Sequence, residues 1–118
     1  MVQEFVGGFY TLAMERDADQ AGVDYWTAGL RRGDFNGASI AANFFFSKEM
    51  TDKHISDEKH IELLYQVMMG RASDEGGKAY WLGNMDSGMT KEEVLNGFIT
   101  SPEFTGICAD YGIERGSL

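Results

Sequence analysis

The segment Tyr10-Thr-Leu-Ala-Met-Glu-Arg16-Asp-Ala-Asp19-Gln-Ala-Gly22-Val-Asp-Tyr25-Trp26 returns as Tyr65-Gln-Val-Met-Met-Gly-Arg71-Ala-Ser-Asp74-Glu-Gly-Gly77-Lys-Ala-Tyr80-Trp81. Tyr10/Tyr65, Arg16/Arg71, Asp19/Asp74, Gly22/Gly77, Tyr25/Tyr80, Trp26/Trp81 and Gly33/Gly88 are all identical at this spacing of 55. The match includes the rare tryptophan, so chance is a poor explanation and the chain reads as an internal duplication. Beyond Gly33 the first copy carries one extra residue, after which Ile40/Val94, Phe44/Phe98, Ser47/Ser101 and Glu49/Glu103 align at a spacing of 54. That insertion belongs in a loop. The expected organisation is one domain over residues 1–118, with a first unit over about 2–53, a second over about 57–109 and a tail over 110–118.

Each unit reads as three helices and a short closing helix. Phe5, Val6, Phe9, Leu12 and Ala13 recur at spacings of three and four, placing an apolar stripe on a helix from about Val2 to Glu15. Ile61, Leu64, Tyr65 and Met68 form its partner. Asp19 and Asp74 are placed to cap the second helices, and Gly33 and Gly88 to end them in left-handed backbone. Thr90 and Glu93 fit a capping box that the first unit lacks, and Pro102, after Ser101, occupies a first helical position where its missing N–H is harmless. No stretch alternates apolar and polar between turn signals, so no sheet is expected. The fold class is all-α, a compact helical bundle of two tandem pseudo-symmetric multi-helix repeats.

At 118 residues, with 43% hydrophobic content, the chain can bury a single core. Its longest apolar stretch, about 40–46, is interrupted by Asn43 and is too short to span a bilayer, so no membrane insertion is expected. No basic segment followed by an apolar one opens the chain. The net charge of −9 repels phosphate backbones, which argues against nucleic acid as a partner. Cys108 stands alone, so it has no disulfide partner within the chain and reads as a small buried apolar residue.

Arg16 with Asp19, and Arg71 with Asp74, resemble acid–base pairs, but their duplication favours a structural role. The aspartate caps a helix, and the guanidinium bridges that cap to carbonyls across the turn. Trp26 shares a helical face with Gly22 and Leu30, and Trp81 with Gly77 and Met85, where the glycine leaves room for a close-packed ring. Arg16, Asp19, Gly22, Trp26, Arg71, Asp74, Gly77 and Trp81 are therefore assigned structural roles. Tyr25 and Tyr80 point elsewhere and are expected to be partly exposed. With Phe35 and Tyr111 they are the candidate ligand-binding residues, since aromatic faces stack on sugars and anchor protein partners.

The acidic run Asp17 to Asp24 lacks the ligands of a calcium loop, notably a bidentate Glu at the twelfth position, where Ala28 stands. His54 and His60 have no companions at metal-ligand spacing and read as solvated surface residues. No metal, cofactor or catalytic residue is assigned. The methionines Met14, Met50, Met68, Met69, Met85 and Met89 read as core filler, or alternatively as an adaptable binding groove.

The doubled Tyr-x5-Arg-x2-Asp-x2-Gly-x2-Tyr-Trp pattern, followed by a Gly, an apolar helix and the run from Phe98 to Phe104, resembles a bacterial domain-of-unknown-function family, number four-two-one-four. The likeness covers nearly all of residues 2 to 113. Met14-Glu15-Arg16 departs from the family's usual Leu-Gly-Arg, whereas Met69-Gly70-Arg71 keeps the glycine. The fold looks akin to the helical domain of phycobilisome linker polypeptides, and the ending Cys108 to Ile113 is similar to tails of such modules in secreted proteins of gut and rumen Firmicutes. The resemblance implies a non-catalytic accessory module in an extracellular or cell-surface protein. The expected partner is a polysaccharide or cell-wall glycan, and the alternative is a protein-interaction or spacer role.

Overall fold

A computed structural model describes residues 2–118. Helix α1 (Val2–Gly8) runs directly into a π turn (Phe9–Ala13), followed by α2 (Gln20–Arg32), α3 (Gly37–Phe45) and α4 (Lys48–Asp52). The second half repeats this order with α5 (Asp57–Leu64) and a π turn (Tyr65–Met69), then α6 (Glu75–Asp86), α7 (Lys91–Ile99) and α8 (Pro102–Tyr111). Among the described residues there is no strand.

The chemistry of the helix ends follows the sequence closely. Asp19 accepts from the Ala21 N–H at 3.2 Å and Asp74 from the Gly77 N–H at 2.8 Å, each satisfying a donor that has no partner inside its own helix. Ser47 and Ser101 cap α4 and α8, with Pro102 in the first turn of α8. Gly33 ends α2 at φ 83°. Thr90 and Glu93 exchange bonds at 3.1 Å across the start of α7. The first unit was expected to lack such a box, yet Asn36 and Ser39 build one at the start of α3, both bonds being 2.8 Å. A serine hydroxyl does there what the motif assigns to a glutamate.

The expected single regular helix from Val2 to Glu15 is instead widened in its last part. Met14 N–H bonds to the Phe9 carbonyl at 3.2 Å and Arg16 N–H to the Tyr10 carbonyl at 3.3 Å, and Arg71 N–H repeats the latter to Tyr65 at 3.3 Å. Both helices then stop on left-handed backbone, at Glu15 (φ 55°) and Gly70 (φ 67°). The two π turns touch each other at the centre of the molecule, and α3 packs on α7. Around these contacts Phe9, Ile40, Ile61, Leu64, Leu95, Ile99 and Phe104 are fully buried, joining both units in one core.

The tail closes the molecule. Ile113 is buried, and the carbonyls of Glu114 and Arg115 accept from the N–H groups of Gly37 and Ala38 at 2.8 and 2.7 Å. The end of the chain thus satisfies the first turn of a helix in the first unit. Cys108 is buried as expected, and burial pushes its thiol up to about 11.

Two readings need correcting. His60 is not solvated; it lies in the core with an edge toward Phe45 and Nε2 3.3 Å from the Lys91 carbonyl. Burial lowers its pKa to about 4, so it is neutral at physiological pH. Gly22 and Gly77 make room for a ring, but not for the indole. A Cβ at either position would stand 2.3 Å from the hydroxyl of Tyr10 or Tyr65, so each glycine seats the buried tyrosine of its own unit.

Candidate functional site

Each unit ends its first helix with a tyrosine, Tyr10 or Tyr65, and uses it as a platform. The Arg16 guanidinium lies 5.0 Å from the Tyr10 ring centre and that of Arg71 lies 5.1 Å from Tyr65. Neither arginine mainly serves the adjacent aspartate. Arg16 grips both carboxylate oxygens of Glu49 at 3.0 and 3.3 Å, and Arg71 those of Glu103 at 2.9 Å each. Only Arg71 makes the expected bridge as well, to the Ala72 carbonyl at 3.2 Å and to Asp74 at 3.5 Å. The forked pair ties the first helix to the closing helix of its unit. Hydrogen bonding to Glu103 and Glu49 raises both guanidinium pKa values, and the Arg71 contact lowers that of Glu103, so both residues of that pair stay charged across the neutral range.

The candidate ligand residues fall into separate places. Tyr25 and Tyr80 are the most exposed aromatic rings, at 61% and 62%. Each stands edge-on to its neighbouring tryptophan, with ring centres 5.8 Å apart for Tyr25 and Trp26 and 5.1 Å for Tyr80 and Trp81. The tryptophans are half-buried rather than enclosed, packed on Phe44 and Phe98 of the third helices. Phe35 joins the first pair, 5.3 Å from Tyr25 and 4.6 Å from Trp26. It is half-buried, not freely exposed, because its ring lies over Gly29 where a Cβ would come within 2.1 Å. The first unit therefore presents a three-ring cluster and the second a two-ring one.

Tyr111 belongs elsewhere. Half-buried against Phe5 at 5.5 Å, it lines a groove of about 540 Å³ between α1, the π turn of the second unit and α8. Phe5, Leu12, Val67, Met68, Met69 and Ile107 give the groove an apolar lining, and among the described residues Glu4 and Asp110 supply its charges. Its participants lie far apart in sequence, and of the sequence-derived candidates only Tyr111 and the methionine pair pointed to it. A smaller cavity of about 240 Å³ lies beside His60, between Met50 and Lys91. Among the described residues no three His, Cys, Asp or Glu side chains are placed to share a metal ion, and no helix is long and apolar enough to cross a membrane.

The model of one family matches the chain twice, over residues 2–54 and 41–108, so that nearly the whole chain is covered and each stretch from Tyr to Trp lies inside a match. The chain belongs to the DUF4214 family. DUF4214 is described as a domain of unknown function. The second DUF4214 match begins inside α3 and overlaps the first over residues 41–54. Its span therefore includes the closing helix of one unit together with the next unit. No curated protein and no solved structure matches the chain at significance. The expected kinship with phycobilisome linker domains thus rests on the sequence resemblance alone.

Proposed function

We propose that this DUF4214 chain is a non-catalytic accessory module that attaches a secreted or surface-borne bacterial protein to a glycan, of the cell wall or of a plant polysaccharide. The observation that carries this reading is the pair Tyr25 and Tyr80. At the same position in both units a large ring is left more than half exposed, although burying it would be favourable, and a tryptophan holds it edge-on. A ring already fixed in place loses little freedom when a pyranose face stacks on it. The net charge of −9 disfavours polyanionic polymers and directs the proposal to neutral ones.

Affinity electrophoresis through gels containing neutral wall and plant polysaccharides tests it. At least one polymer should retard the parent protein, and the Tyr25→Ala/Tyr80→Ala double variant should migrate as it does in a blank gel. Equal mobility of the parent in every polymer would contradict the proposal.

A further inference from the structure

The groove beside Tyr111 carries an inference independent of the glycan reading, because neither Tyr25 nor Tyr80 lines it. We propose that it is a docking site for a segment of a partner protein bearing large apolar side chains flanked by lysine or arginine.

Its volume of about 540 Å³ falls within the roughly 300–1,000 Å³ of ordinary ligand-binding clefts. The lining combines apolar side chains with the polar groups of Glu4, Gln66, Asp110 and Tyr111, which suits leucine-like side chains flanked by cationic ones. Leu12 stands 43% exposed at its side, a large apolar residue that the fold does not cover. Met68 and Met69 also line the groove, with unbranched side chains that adapt to a guest. Among the described residues every charged lining residue is acidic. Among the described residues neither Glu4 nor Asp110 has a hydrogen-bond or ion-pair partner, so both carboxylates remain available to a cation. A second copy of this chain, itself at −9, is the less suited occupant, since bringing two such surfaces together adds like-charge repulsion.

Fluorescence anisotropy of the whole chain with a labelled peptide of alternating leucine and lysine tests the assignment. Peptides of alternating leucine and glutamate and of alternating serine and lysine serve as controls. Leu12→Ser and Asp110→Lys change exposed groups and should leave the circular dichroism spectrum unaltered. Binding of the leucine–lysine peptide should weaken roughly tenfold in each variant and fall with added salt. Neither control peptide should bind comparably.

The proposal is overturned if the leucine–lysine peptide does not bind, if either control binds as well, or if both folded variants bind like the parent. A concentration-dependent dimer that Leu12→Ser abolishes, with no peptide binding, would assign the groove to a second copy instead. Loss of glycan retardation without change in peptide binding, or the reverse, separates this proposal from the preceding one.

Discussion

The two units carry the same aromatic signature but support it differently. In the first, Trp26 is covered by Phe35, which the one-residue-longer connection between Gly33 and Asn36 delivers onto Gly29. In the second that connection is shorter, and Trp81 settles onto Gly97, where a Cβ would lie 2.4 Å from the indole. Asn43 occupies the aligned position in the first unit. The first turn of α7 is closed by its own Thr90–Glu93 box, whereas α3 needs the tail carbonyls as well as Asn36 and Ser39. Phe5 in one unit aligns with His60 in the other, and Glu15 with Gly70. The lesson is that the repeated tyrosines, arginines and tryptophans set the plan. Glycines and one loop then decide locally how each ring is seated.

Deleting residues 113–118 probes the largest asymmetry. It removes the buried Ile113 side chain from the core and two acceptors from α3, and should cost about 4 kcal/mol in urea unfolding. Hydrogen exchange should accelerate in the first turn of α3 and stay slow in that of α7; equal acceleration in both would break the comparison.

His60→Phe makes the second unit like the first. Because burial holds the folded pKa near 4, below the ordinary 6.5, the unfolded chain takes up the proton between those values and the folded chain does not. Stability is therefore full above pH 6.5 and falls as the pH drops toward 4, by up to about 3 kcal/mol. The lowered carboxylates Glu62, Asp74 and Glu103 add their losses only below their ordinary range. Urea midpoints of the variant should be flat between pH 6.5 and 5, and an unchanged slope would refute the assignment.

Gly97→Ala should destabilise by about 1.5 kcal/mol through the clash with Trp81, reversing the gain of about 1 kcal/mol that alanine brings to a free helix position. Asn43→Ala at the aligned exposed site should change stability by less than about 0.5 kcal/mol. A stabilising Gly97→Ala would mean that the indole is not seated there.

Glu15→Gly should stabilise by about 0.5–1 kcal/mol. It relieves left-handed backbone that Gly70 adopts freely, and the contacts of Glu15 with Lys59 and Lys53 are exposed and weak. The reverse change, Gly70→Glu, should lower the melting midpoint, and it should do so through backbone alone because a Cβ there meets nothing within 4 Å.

Much of this was legible because it is local. Asp19, Asp74, Ser47, Ser101, Thr90 and Gly33 act within a turn of where they stand, and their residue types announce it. The Arg–Glu forks were missed although Glu49 and Glu103 were aligned in both units, a signal that these side chains share a task. His60 was misread by its type; its alignment with buried Phe5 pointed to the core. The π turns, the tail carbonyls on α3 and the groove at Tyr111 have no local signature. Each depends on how segments far apart in the chain pack together.

On the proposed glycan-binding reading, the two exposed tyrosines are corresponding ligand sites on differently built supports. Calorimetric titration with an oligosaccharide of the retarding polymer decides whether this holds. Two sites are expected, the tighter on the three-ring cluster, with Tyr80→Ala retaining the tighter site, Tyr25→Ala the weaker, and the double variant neither. Undiminished binding by the double variant, or a single site that either substitution leaves intact, would contradict it.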